Sequence, residues 1–177
     1  MNVTEQLLAR NAAFATGDFD PGLSIMPTLK TMIVSCADPR VDPAHLLGLQ
    51  PGETAVLRNV GGRITPQLME ELSLLQSVAR NHGATPGGRF DLIVLHHTDC
   101  GIKSLEAHPD RLAAYLGTLP DELPTKAVGD PRAAVAVDVA ALRADPRVPR
   151  DWVVSGLVYD VHTGRVEVVM PPVIRTA

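Results

Sequence analysis

The chain has 177 residues, of which 45% are hydrophobic and 20% charged, so it can form one compact domain with a filled core. Lys and Arg total 16 against 20 Asp and Glu, and no long run of one sign occurs, which disfavours nucleic acid and anionic membranes as partners. No apolar stretch approaches the roughly 18 residues that span a bilayer, and the first residues lack a signal-peptide pattern. The sequence therefore predicts a cytoplasmic protein.

Capping residues and short apolar runs predict alternating helices and strands. Asn2 or Thr4 can cap a first helix, whereas Asp42, Thr65 and Asp130 each precede a proline, the usual pair at a helix start. In chain order we predict a helix before Gly17, a strand at 32–34, a helix from Asp42 to about Gly48, a strand at 54–58, a helix at 66–82, a strand at 90–96, a helix at 130–142, and strands at 152–161 and 165–170 joined by a turn.

This order predicts an α/β fold: a central, mostly parallel sheet flanked by helices, with a C-terminal antiparallel hairpin. We expect a single domain over residues 1–177, in which 1–28 form an N-terminal helix and arm and 29–177 form the core. Segments 17–28 and 102–128 carry no pattern from which their structure follows.

The chain's two cysteines follow the first and third predicted strands, in the segments SCADPR and HHTDCG. Because ligands bind at the carboxyl edge of parallel sheets, we expect Cys36 and Cys100 to face one crevice. His97 lies three residues before Cys100, so one turn can present an imidazole and a thiolate to the same ion. Two thiolates and one imidazole favour zinc, and three protein ligands leave a fourth position open, as in catalytic zinc sites.

Other uses of two thiols fit the sequence less well. Two buried cysteines acting as small hydrophobic residues are the simplest alternative, but their shared position at strand ends favours metal binding. A redox pair would be expected to form C-x-x-C, which does not occur here.

Taken together, the motifs resemble those of the beta-class carbonic anhydrases. C-x-D-x-R occupies residues 36–40, and H-x-x-C occupies residues 97–100, followed by Gly101. Residues 46–62 resemble the family's second strand and Gly-rich loop, and 156–166 resemble its closing hairpin. The resemblance covers roughly residues 30–170.

The resemblance implies one Zn²⁺ per chain, bound by Cys36, His97 and Cys100, with water in the fourth position. It implies hydration of carbon dioxide to bicarbonate and a proton by the zinc-bound hydroxide, and a homodimer or larger homo-oligomer. Many plant-type members carry a glutamine that donates to substrate where this chain has Pro27.

Asp38 and Arg40 are the expected catalytic residues beside this metal. A carboxylate can accept a hydrogen bond from the attacking water, and Arg40 can hold Asp38 in a bidentate pair that keeps it ionised. If that pair breaks, Asp38 is close enough in sequence to bind zinc itself, as in some family members. The Gly101 backbone N–H is the expected donor to substrate, since no side chain obstructs its approach.

The other candidate residues are assigned mainly structural roles. His96 should face away from the metal at the end of the sheet, with proton shuttling as a minor alternative. Gly61 and Gly62 predict a tight turn near the pocket. The remaining histidines are expected at the surface or in caps: His45, His82, His108 and His162.

The same ligands leave other functions open. Relatives in the family hydrolyse carbonyl sulfide or carbon disulfide at the same type of zinc site, so this activity is the main alternative. A second alternative, of another class, is a non-catalytic zinc-binding protein that uses the fold to bind a partner. The presence of Asp38 and Arg40 argues against it, because a closed structural site needs neither.

Overall fold

The protein is described by a computed structural model over residues 1–84 and 88–174. The helices and strands are, in chain order, α1 (Val3–Thr16), β1 (Thr31–Cys36), α2 (Pro43–Leu47), β2 (Thr54–Asn59), α3 (Pro66–Asn81), β3 (Phe90–His97), α4 (Pro109–Leu116), α5 (Pro131–Ala144), β4 (Trp152–Tyr159) and β5 (Val166–Ile174). Short 3₁₀ helices lie at Val60–Gly62, Gly101–Ala107 and Pro120–Lys126.

Over the described residues the strands form one five-stranded sheet in the order β2-β1-β3-β4-β5. β1 pairs in parallel with β2 and β3, β3 pairs in parallel with β4, and β5 is antiparallel to β4. The predicted α/β fold with its C-terminal antiparallel hairpin is therefore confirmed. β5 continues past its predicted end through Pro171 and Pro172. Because β5 is an edge strand, residues without an N–H group are tolerated there.

The helices begin where the capping signals predict. The Asn2 side chain accepts from Glu5 N at 2.9 Å, and the Glu5 carboxylate accepts from Asn2 N at 2.9 Å. Thr65 Oγ1 accepts from Leu68 N at 3.1 Å at the start of α3. Each bond satisfies an N–H that would otherwise lack a partner in the first helical turn. Asn2 rather than Thr4 is thus the cap of α1.

The main core lies between the sheet and the helices α3 and α5. Leu68, Met69 and Leu72 of α3 belong to the same buried cluster as Val135 and Val139 of α5. A Cβ atom placed on Gly156 of β4 would lie 2.9 Å from side-chain atoms of both Val135 and Val139. Helix α5 therefore packs against β4 too closely for any larger residue at 156.

A second, smaller buried cluster forms in the segment that the sequence left without a predicted structure. It contains Ile102, Leu112, Leu116 and Val128. These residues come from the 3₁₀ helix after Cys100, from α4 and from the turn before α5. The cluster fixes the segment that follows the third predicted ligand.

Helix α1 differs from the other long helices in its exposure. Within the described residues, none of its side chains is buried, and Leu7 and Leu8 are 55% and 62% exposed. In the part of the chain that the structure covers, no helix is both long enough and apolar enough to cross a bilayer.

Candidate metal centre

Three side chains converge at the carboxyl edge of the sheet. Cys36 is the last residue of β1, His97 is the last residue of β3, and Cys100 follows after two residues. Their ligand atoms all lie within 4.8 Å of one another, and the two Sγ atoms are 3.8 Å apart. The structure thus brings together the three predicted ligands, which we call the Cys–His–Cys triad.

The hydrogen bonds of His97 indicate which ring nitrogen is free to bind a metal ion. Nδ1 lies 2.8 Å from the Thr98 carbonyl, which can only accept, so Nδ1 carries the proton. Nε2 is buried and has no hydrogen-bond partner among the described residues. A buried, unprotonated nitrogen without a partner is unfavourable in apolar surroundings, and a metal ion would satisfy it. The triad therefore fits a zinc ion in both donor type and orientation.

Proximity of the two thiols changes the acidity of both. The hydrogen bond from Cys100 lowers the pKa of Cys36 far below its usual value, and the Asp38 backbone N–H, 3.4 Å from Cys36 Sγ, acts in the same direction. The same contact, together with burial, raises the pKa of Cys100. One thiolate is thus favoured even before a cation binds, as a metal-binding cysteine requires.

Arg40 fixes the Asp38 carboxylate at the exposed side of the triad. Arg40 Nε donates to Oδ1 at 3.1 Å and Nη2 donates to Oδ2 at 2.8 Å, a bidentate contact. These bonds from Arg40 lower the pKa of Asp38 to about 2. The predicted ion pair is therefore formed, and Asp38 is an acceptor at neutral pH.

Asp99 is a site residue that the sequence analysis did not predict. Arg40 Nη1 donates to Asp99 Oδ2 at 2.9 Å, and Nη2 donates to the Asp99 carbonyl at 3.0 Å. Asp99 has φ 54°, a left-handed conformation that Asp tolerates better than most residues. We call the cluster of Asp38, Arg40 and Asp99 the exposed arginine cluster.

Arg58 was also missed, although it lies in a predicted strand. It donates from Nε to the Cys36 carbonyl at 2.9 Å, from Nη2 to the Asp38 carbonyl at 2.7 Å, and from Nη1 to Asp42 Oδ2 at 3.0 Å. One guanidinium thus holds the loop that follows β1 at three points. A long-range contact of this kind leaves no local pattern in the sequence.

Gly61 and Gly62 form the predicted tight turn beside the triad, with φ values of 80° and 65°. A Cβ on Gly62 would lie 2.9 Å from the backbone of Ser35 and Cys36, so this turn packs directly against the end of β1. A side chain at Gly62 would therefore push on the residue that carries the first thiolate.

A buried ion pair connects the residue after the Gly61–Gly62 turn to α5. Arg63 donates from Nε to Asp138 Oδ2 at 2.7 Å and from Nη2 to Oδ1 at 3.1 Å. His96 Nε2 lies 3.2 Å from the same Oδ2 and 3.1 Å from the Gly62 carbonyl. His96 thus faces α5 rather than the thiols, in agreement with its predicted orientation. We call Arg63, Asp138 and His96 the buried arginine cluster.

The other predicted positions are placed as follows. Gly101 begins the 3₁₀ helix after Cys100, and a Cβ placed on it would meet nothing within 4 Å. The role of the Gly101 N–H as a donor to substrate stays a prediction. The remaining histidines are all exposed: His45, His82, His108 and His162.

The chain is similar in sequence and in structure to known proteins. Residues 31–166 match the family model described as carbonic anhydrase. The chain belongs to the beta-carbonic anhydrase family. Beta-carbonic anhydrase 1 of Mycobacterium tuberculosis is 31% identical over 177 residues, which are 97% of this chain and 100% of that protein. The crystal structure of carbonic anhydrase from Streptococcus mutans has a TM-score of 0.72 and 30% identity, covering 96% of this chain and 98% of that one.

Membership of this family confirms the predicted resemblance and identifies an enzyme of the carbonic anhydrase type. A relative with another name also matches: carbon disulfide hydrolase of Acidianus sp. is 28% identical over 158 residues, 75% of this chain and 74% of that protein. The chain is therefore similar both to proteins named carbonic anhydrase and to one named carbon disulfide hydrolase.

Proposed function

We propose that the protein catalyses the reversible hydration of carbon dioxide to bicarbonate and a proton, with zinc as cofactor. The observation that carries this proposal is the unpartnered Nε2 of His97 beside two thiols, next to a carboxylate held by arginine. Cys36, His97 and Cys100 would hold the ion. When bound, zinc supplies a Lewis acid that lowers the pKa of a water molecule.

Residues of the chain orient the attacking water molecule. Asp38 Oδ2 accepts one bond from Arg40, which leaves a lone pair for the attacking water. Because the pKa of Asp38 is about 2, the carboxylate accepts rather than donates, which directs an oxygen lone pair of the water toward carbon. The water oxygen bonds to carbon, one C=O π pair moves to oxygen, and the water's second proton is released to solvent. The Gly101 N–H is the proposed donor to that oxygen.

Hydrolysis of carbonyl sulfide or carbon disulfide is the second candidate activity. It is supported by the carbon disulfide hydrolase relative, which aligns with three quarters of this chain. These substrates are also linear with an electrophilic central carbon, so the same residues would serve. A non-catalytic zinc protein is the remaining alternative.

Two rate assays on one preparation test these proposals. Zinc-loaded protein is assayed by stopped flow with carbon dioxide and, separately, for sulfide release from carbonyl sulfide. We expect hydration that falls about 10²-fold or more in Asp38→Ala, while the exposed control Asp110→Ala stays active. Faster sulfide release than hydration would favour the second activity. Protein that holds a single zinc ion per chain but is inactive in both assays would support the non-catalytic alternative.

We further propose that two copies associate through α1, the helix of the predicted arm at 1–28. Its exposed Leu7 and Leu8 form an apolar surface that a second copy can cover. Sedimentation should give a dimer or larger species, which Leu8→Glu shifts toward the monomer of 18.9 kDa. Wild-type protein that sediments as a monomer at high concentration would contradict this. The cytoplasmic location stays a prediction from the sequence.

A further inference from the structure

Tyr115, in the last turn of α4, bonds the turn that lies beside the Cys–His–Cys triad. Its Oη donates to the Val60 carbonyl at 2.8 Å, across 55 positions of the chain. Its ring packs against the smaller buried cluster. Burial raises the pKa of Tyr115 to about 12, so the hydroxyl keeps its proton and donates at neutral pH. A phenol whose ring is anchored in this way restrains the group that its hydroxyl bonds.

The Val60 carbonyl and the Gly61 N–H belong to one peptide unit, which we call the turn peptide. No cis peptide bond occurs among the described residues, so this carbonyl and this N–H point in opposite directions. The Gly61 N–H hydrogen-bonds to the Cys36 thiol, and after the larger effect of Cys100 it adds to the lowering of the pKa of Cys36. The Tyr115 hydroxyl and the first ligand of the triad thus lie at opposite ends of the turn peptide.

The turn peptide needs a restraint because its N–H belongs to a glycine. Gly61 has φ 80°, and glycine adopts positive and negative φ with similar ease, so the peptide before it can flip at small cost. A flipped peptide would turn its N–H away from Cys36 and leave Tyr115 without its acceptor. His96 Nε2 lies 3.1 Å from a different carbonyl of the turn, that of Gly62. Tyr115 therefore restrains the turn peptide itself, whereas His96 restrains a later one.

We propose that Tyr115 is a positioning residue for the metal centre, and that its hydroxyl holds the turn peptide so that the Gly61 N–H faces the Cys36 sulfur. An N–H donor to a metal-bound thiolate fixes the direction of the sulfur and disperses its charge. Close packing supports this arrangement, because a Cβ on Gly62 would lie 2.9 Å from Cys36 N. The inference rests on the proposed zinc site and extends it to α4, an element that holds none of the three ligands.

A hydrogen bond to a metal-bound sulfur can be observed with ¹¹³Cd²⁺ in place of zinc, since Cd²⁺ binds the same soft ligands. In full-length wild-type protein loaded with ¹¹³Cd²⁺, we expect scalar coupling between the metal nucleus and the Gly61 amide proton, transmitted through Cys36 Sγ. Tyr115→Phe keeps the ring in the buried cluster and removes only the hydroxyl. It should weaken that coupling, move the ¹¹³Cd resonance, and lower the affinity for Cd²⁺ about tenfold in competition with a chelator.

Ser77→Ala is the matched control. It also removes a hydroxyl that donates to a backbone carbonyl, that of Ser73 at 3.0 Å, but in the C-terminal half of α3. It should leave the coupling, the resonance and the affinity as in wild type. Wild-type protein that binds ¹¹³Cd²⁺ without coupling to Gly61, or an unchanged coupling in Tyr115→Phe, would overturn the inference and leave the proposed function standing. Wild-type protein that binds no metal ion would overturn both.

Discussion

Two arginine–carboxylate clusters flank the same Cys–His–Cys triad, and they differ in exposure. The Arg40 side chain is 47% exposed, whereas that of Arg63 is 2% exposed. Exposed pairs contribute about 0–1 kcal/mol to stability, because water screens them and both side chains lose entropy. A buried pair loses hydration on both charges, and removal of one partner leaves the other charge uncompensated.

The two clusters have different roles. The exposed arginine cluster contributes little free energy of folding, so its three-residue arrangement points to positioning of Asp38. The buried arginine cluster joins the turn at Gly62 and Gly61 to α5, through Arg63, His96 and Asp138. It therefore couples the stability of the fold to the geometry of the site.

The largest effect is expected from a break in the buried pair. Asp138→Leu alone leaves the Arg63 guanidinium buried without its carboxylate and should lower the free energy of unfolding by about 3–5 kcal/mol. Arg63→Met combined with Asp138→Leu should restore most of that loss, because no charge is then left unpaired. Urea unfolding of wild type, of the single variants Asp138→Leu and Arg63→Met, and of the double variant gives the coupling energy. Additive effects of the two substitutions would show that the pair is not coupled.

The next largest effect is a loss of activity when Arg40 is replaced, with little change in stability. Arg40→Met releases the Asp38 carboxylate, so we expect hydration to fall about 10²-fold while the free energy of unfolding stays close to that of wild type. Stopped-flow assays and urea unfolding on one preparation measure both. Arg147→Met is the matched control, since Arg147 holds Asp145 in a similar bidentate pair away from the triad. A variant that stays fully active would remove the positioning role of Arg40.

A smaller effect is expected on how the stability contributed by the buried arginine cluster depends on pH. Burial raises the pKa of Asp138, but bonds from His96 and Arg63 outweigh it, and the net shift is downward. A carboxyl group whose pKa is lower in the folded than in the unfolded protein stabilises the fold. This stabilisation is fully present above the pKa in the unfolded protein, about 3.9, and is lost as the pH falls through the pKa in the folded protein. The stability difference between wild type and Asp138→Asn should thus shrink as the pH falls below about 4. Asp38 titrates in both proteins, so its contribution cancels. A difference that grows on acidification would reverse the assigned sign.

The exposed cluster was largely predictable from the sequence, and the buried one was not. Asp38 and Arg40 lie within four residues of Cys36, so local spacing reveals them, and only Asp99 was missed. Arg63 and Asp138 are 75 residues apart, and neither has a neighbour in sequence that marks it. Only the packing of α5 against the sheet brings them together.

The fold, like the site, could be predicted only where a local sequence pattern marks an element. The strands and the longer helices follow from apolar runs and capping residues, and the parallel order follows from their alternation. Segment 102–128 could not be predicted, because its α4 and two 3₁₀ helices are short and interrupted by prolines at 109, 120 and 124. Its structure depends on the cluster of Ile102, Leu112 and Leu116, which forms only in the folded chain.

The smallest effect is expected at Asp99, and it decides how Arg40 acts. Asp99→Asn keeps a residue that tolerates the left-handed conformation and keeps the carbonyl that accepts from Arg40 Nη2, while it removes one exposed charge. We expect the free energy of unfolding to stay close to that of wild type and hydration to change by less than about threefold. The bidentate contact of Arg40 with Asp38 is untouched in this variant, so its orientation should persist. If instead Asp99→Asn lowered hydration as far as Arg40→Met does, then Arg40 would act through the loop between His97 and Cys100. The exposed and buried clusters would in that case share one role, that of holding the triad in place.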